Sequence, residues 1–75
     1  MSDKPVMTDR QLALFRVFKS AIESERGAQK QYEEAASLCD DDALCGILES
    51  FRLEEAKHER KLMEMYADYR DRFAS

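Results

Sequence analysis

The feature that most restricts this chain is one spacing, repeated twice around a single acidic break. Phe15, Phe18, Ile22, Glu25, Gln29, Tyr32, Ala36 and Cys39 recur at alternating steps of three and four residues. Those steps put them on one face of an α-helix. Leu44, Leu48, Phe51, Glu55, His58, Leu62, Met65 and Tyr69 repeat the pattern. Between the two stripes lies Asp40-Asp41-Asp42, and aspartate favours helix N-caps, where its charge complements the positive end of the helix dipole. Thr8-Asp9-Arg10-Gln11 has the form of a capping box, and no proline follows it to interrupt either stripe. The spacing predicts helices over about 9–39 and 42–72, the first roughly 45 Å long at 1.5 Å per residue. So short a connection forces the two helices antiparallel and side by side. The expected fold is all-α, a two-helix hairpin over residues 8–75 preceded by a loose arm over 1–7, where Lys4-Pro5 resists helix formation. Gly27 lies inside the first helix off the stripe, at a cost of about 1 kcal/mol against alanine, and permits close approach by another helix.

Length sets the next limit. A chain of 75 residues buries a modest share of its surface, and below about 70–80 residues a fold needs a disulfide, a metal or oligomerisation to hold it. The net charge of −4, with no basic patch, excludes nucleic acid as a partner. No apolar run approaches the ~18 residues of a membrane span. Met1-Ser2-Asp3-Lys4-Pro5 has neither the basic region nor the apolar core of a secretion signal, so the cytoplasm is the expected compartment. Cys39 and Cys45 flank the turn. A disulfide between them is open if their Cα atoms fall within about 7 Å, while a reducing compartment favours two buried thiols.

Register brings the polar residues of the stripes together. Glu25 lies about fifteen residues from the turn on the first helix; Glu55 and His58 lie about fourteen and seventeen from it on the second. Glu55 and His58, three apart, share one helix face. All three therefore arrive at one level of the hairpin, with apolar residues above and below and Gln29 one turn nearer the turn. Buried carboxylates are costly unless paired or bound to metal. Two readings follow. One is a hydrogen-bonded cluster, such as Glu25 with His58, that fixes helix register. The other is a metal site, since two carboxylates and an imidazole suit a redox-active divalent ion. A single hairpin leaves its inner stripe half covered, so two hairpins are expected to pair into a four-helix bundle. The pairing doubles the set to four Glu and two His, the ligands of a di-iron carboxylate bundle. Glu54, Glu59 and Glu23 read as solvated neighbours, Glu23 placed to guide cations. Leu14, Val17 and Ala21, with Met63, Tyr66 and Phe73 on the second helix, add apolar surface for a further interface, such as a ring of dimers.

The spacing of Glu25, Tyr32 and Glu33-Glu34-Ala35-Ala36, then Asp41-Asp42-Ala43-Leu44, then Glu54-Glu55-Ala56-Lys57-His58 resembles the ferritin-like superfamily over about residues 15–70. Rubrerythrin-like proteins share the pattern, and encapsulated ferritins resemble it most closely. In that family a two-helix protomer carries half a ferroxidase centre, completed across a dimer interface. The resemblance implies that Glu25, Glu55 and His58 are iron ligands in a di-iron site drawn from two chains, with Glu55 a bridge between the irons. It also implies a homodimer acting on Fe(II) with O2 or H2O2, and an encapsulin shell as the wider compartment. Tyr32 matches the family's tyrosine near the centre; from its place on the stripe it reads either as donating its hydroxyl to a ligand carboxylate of the other protomer or as an ordinary core tyrosine, and Gln29 either as bonding a ligand oxygen or as covering the pocket. Where encapsulated ferritins carry further acidic residues beside the first ligand, this chain has Ser24 and Gly27. Arg70-Asp71-Arg72-Phe73-Ala74-Ser75 shows no apolar docking peptide. Neither cysteine belongs to a Cys-x-x-Cys pair, so a rubredoxin-type iron site is not expected. The expected function is ferroxidase-type iron oxidation in storage or detoxification. The alternatives are rubrerythrin-like reduction of peroxide or oxygen or redox sensing, and a non-enzymatic helical oligomerisation module.

Overall fold

The computed structural model describes residues 3–74, so the first two residues of the arm lie outside the described residues. Helix α1 spans Asp9–Leu38 and helix α2 spans Asp42–Asp71. The chain is an elongated hairpin of 58 × 17 × 15 Å. Local chemistry sets each boundary. At the start of α1 the Thr8 hydroxyl accepts from the Gln11 N–H at 3.2 Å, and the Gln11 side-chain oxygen accepts from the Thr8 N–H at 2.9 Å. The expected capping box is therefore formed. Cys39 caps the other end in extended conformation, its N–H reaching the Ala36 carbonyl at 3.3 Å. This is why α1 stops one residue short of the expected 39. Asp41 starts α2 by accepting from the Leu44 N–H at 3.1 Å, and Arg72 is the C-cap rather than the last helical residue. The arm comes back to the far end of α2, where the Pro5 carbonyl accepts from the Ala74 N–H at 2.8 Å. No helix among the described residues is long and apolar enough to cross a membrane.

Aromatic pairs hold the open end of the hairpin. Phe15 stacks on Tyr66 with centroids 4.5 Å apart, and Phe18 meets Tyr69 edge-on at 5.8 Å, with Phe73 against the other side of Tyr69 at 5.1 Å. Nearer the turn Tyr32 tilts over Phe51 at 5.6 Å. Pairing the start of α1 with the end of α2 makes the helices antiparallel. Each such pair stabilises by about 0.5–1.5 kcal/mol beyond its area burial. Between them sits Ile22, the one buried residue among those described, at 8% exposure.

The predicted stripe of α1 is at least half-buried at every position from Phe15 to Cys39. The stripe of α2 is right at only half of its positions. Leu48, Glu55, Leu62 and Tyr69 are half-buried as expected, whereas Leu44, Phe51, His58 and Met65 are exposed. Their places in the seam are taken by Cys45, Arg52, Glu59 and Tyr66, each one residue further along. One residue is a rotation of 100° around the helix, so α2 is turned to present a different edge to α1. The line of Leu48, Glu55, Leu62 and Tyr69 has an edge on either side, and α1 covers the one that carries Cys45, Arg52, Glu59 and Tyr66. The other carries Leu44, Phe51 (44% exposed) and Met65 and is open.

Two substitutions test this arrangement. Asp41→Ala removes the N-cap and should cost about 1 kcal/mol in urea unfolding, without changing helix content otherwise. A Cβ built at Gly27 meets nothing within 4 Å, so Gly27→Ala should stabilise by about 1 kcal/mol. A destabilised Gly27→Ala protein would reveal a second chain packed on that edge.

Candidate metal centre

Halfway along the hairpin the seam turns polar. Glu25 comes from α1, and Glu55 and His58 come from one face of α2, one turn apart. One ligand atom from each lies within 4.8 Å of the others. His58 Nδ1 is 3.5 Å from Glu25 Oε2 and 3.7 Å from Glu55 Oε1. The three residues singled out by register are thus brought together. Their burial differs, because the Glu25 side chain is 23% exposed and that of His58 59%. The carboxylates lie in the seam, and the imidazole reaches them from the open edge of α2.

One carboxylate oxygen of the cluster is not satisfied by this chain. Glu25 Oε2 is buried and has no hydrogen-bond partner. Glu55 is pushed above the usual carboxylate range, chiefly by hydrogen bonding to Glu25, then by partial burial and by the charge of Glu25, with His58 opposing. Two carboxylates this close repel each other, and a cation placed between them would relieve that repulsion. The donor set fits a hard or borderline divalent metal. Two ligands facing each other across a metal at about 2.1 Å stand roughly 4.2 Å apart, and both distances from Nδ1 fall inside that span. Glu25, Glu55 and His58 are the residues that would hold the ion, leaving the rest of its coordination to come from elsewhere.

The neighbours of the cluster behave differently from expectation. Glu59, expected to be solvated, has a side chain only 19% exposed. It accepts from Arg26 Nε at 2.6 Å on one oxygen and from Gln29 Nε2 at 2.7 Å on the other. Both contacts hold its carboxyl below the usual range. The rotation of α2 explains the correction, since it carries Glu59 into the seam opposite Arg26. Gln29 consequently serves Glu59, and it touches Glu25 only at the backbone carbonyl, at 3.3 Å. Tyr32 lies on Phe51. The Arg26–Glu59–Gln29 network was hidden in the sequence. Its signal was the i, i+3 pair Arg26 and Gln29, both reaching one acid on the opposite helix.

The raised value of Glu55 gives a pH dependence that can be measured on metal-free protein. A folded value raised for Glu55 means that its contribution to stability is full below the unfolded value and is lost as pH rises through the folded one. Glu59, with its lowered value, contributes above its unfolded value, and that contribution is lost as pH falls through the folded one. Glu55→Gln should therefore melt increasingly above wild type as pH rises from about 4 to about 7. A constant difference across that range would mean that folding does not raise Glu55. Compared with protein-family models, curated proteins and solved structures, the chain matches none.

Proposed function

We propose that this chain is one half of an iron-oxidising centre, completed when two hairpins pair through the open edge of α2. The observation that carries the reading is the unpartnered Glu25 oxygen beside Glu55 and His58. A cluster that served only to fix register would leave no buried oxygen without a hydrogen bond, and here Glu25 Oε2 has none. The line that carries His58 is apolar on both sides of it, through Leu44 and Phe51 toward the turn and Met65 beyond. Docking a second copy on that line covers these side chains and sets a second cluster against the first. The combined donors are four carboxylates and two imidazoles.

In this reading Fe(II) is the substrate. Two ferrous ions give one electron each to O2, which takes up two protons and leaves as hydrogen peroxide. With peroxide as oxidant, the same two electrons and two protons yield two waters. The residues hold the ions side by side, and oxygen-rich ligands favour the ferric product. The ferric ions then pass to storage or detoxification.

His58→Ala and Glu55→Ala should each lower Fe(II)-dependent O2 consumption by about two orders of magnitude or more while the helical content stays unchanged. The register reading gives the opposite pattern, a loss of about 3–5 kcal/mol from stranding a buried partner and no oxidation in wild type. Phe51→Glu should separate the dimer in sedimentation and abolish oxidation with all three ligands intact. Wild-type protein that consumes no oxygen with Fe(II) would overturn the proposal. Sustained peroxide turnover with a supplied reductant would move it to peroxide reduction.

A further inference from the structure

The turn carries a second arrangement that the metal centre does not use. Cys39 and Cys45 cross-bond around two backbone carbonyls. The Ala36 carbonyl faces the Cys39 N–H at 3.3 Å and the Cys45 thiol at 4.0 Å. The Asp41 carbonyl faces the Cys45 N–H at 2.8 Å and the Cys39 thiol at 3.1 Å. Each cysteine therefore puts its N–H on one carbonyl and its sulfur on the carbonyl that binds the other's N–H. Within this reciprocal pattern the two thiols also lie within hydrogen-bonding reach of each other across the turn. Both residues are half-buried free thiols, so small oxidants reach them.

We propose that Cys39 and Cys45 form a peroxide-sensitive dithiol that closes to an intrachain disulfide across the turn. The inference is independent of the iron reading. Hydrogen peroxide is the oxidant. Attack by one sulfur breaks the O–O bond and gives a sulfenic acid and water. The second thiol then displaces that hydroxyl, forming the S–S bond and a second water. Overall two thiols lose two electrons and two protons, and one peroxide becomes two waters. Cys39 is the attacking residue and Cys45 the resolving one. Hydrogen bonding to the Cys39 sulfur, with partial burial behind it, raises the Cys45 thiol above its ordinary value, which suits it to the resolving step. Cys39 occupies the extended cap outside both helices, where its sulfur can move without disturbing a helical turn. Closure removes the thiol donor at the Asp41 carbonyl but leaves the Cys45 N–H on it, so the first turn of α2 survives. Glu55 lies ten residues further along α2, roughly 15 Å away, so the ligands stay in place.

The test uses metal-free wild-type protein in the presence of a chelator, treated with hydrogen peroxide. Expected are the loss of both maleimide-reactive thiols together, an intact mass lower by two hydrogens, no covalent dimer on a non-reducing gel, and full recovery with dithiothreitol. The oxidised protein should also melt higher than the reduced one. In Cys45→Ser protein peroxide should leave a sulfenic acid on Cys39 that a 1,3-dione traps, and Cys39→Ser protein should give no such adduct. Covalent dimers, a mass gain of two or three oxygens in wild type, or thiols that stay titratable would each overturn the proposal. A dione adduct on Cys45 in the Cys39→Ser protein would overturn the assigned order.

Discussion

Two helices laid side by side can each cover only one edge of the other, and the rest of this structure follows from that limit. Helices of 30 residues draw most of their stability from an amphipathic face packed on a neighbour. Here the neighbour is a single helix, and Ile22 alone among the described residues is buried. The hairpin therefore leans on what needs no deep core. Aromatic rings pair across the seam at the open end, a capping box and an aspartate cap close the helix starts, and the arm returns to the end of α2. Exposed ion pairs such as Arg52 with Glu49 and Glu33 add little, since screening and side-chain entropy offset most of their attraction.

The polar level of the seam holds three acids with two different fates. Glu59 has a guanidinium on one oxygen and an amide on the other, so its charge is fully met within the chain. Glu25 and Glu55 have only each other and an imidazole. Burial is similar for all three, so partners rather than burial separate the raised Glu55 from the lowered Glu59. The division separates a structural acid from a pair kept short of positive charge. It also separates the two edges of α2, because Arg26 and Met63 occupy the Glu59 side and His58 the open side.

The helices were legible because caps and breaks are local chemistry. Thr8 with Gln11 and Asp41 with Leu44 act within one turn, so four adjacent residues suffice to read them. The level of Glu25, Glu55 and His58 was legible for a related reason, since a short turn converts sequence distance into height. Which edge of α2 faces α1 was not. Hydropathy marks Leu44, Phe51 and Met65 as apolar whether α1 or something else covers them, and the pattern merged two edges into one stripe. Glu59 was misplaced with them, because nothing in an acidic residue says which cation lies opposite. No comparison with known proteins adds to these readings, and the family likeness of the Glu-x-x-His spacing rests on the sequence pattern alone.

The cluster sits near mid-length, with Glu25 thirteen residues from the end of α1 and Glu55 thirteen from the start of α2. A second hairpin would meet it at the same height whether it ran in the same direction or the reverse. Chain connectivity distinguishes the two orientations. Pro5 and Ala74 lie together at one end, so a gene duplication fusing two copies would join parallel hairpins through a few residues. Opposed hairpins would need a crossover along the whole helix, about 45 Å and at least ~13 extended residues. The linker length that a tandem fusion tolerates would thus act as a ruler for the symmetry of the pair.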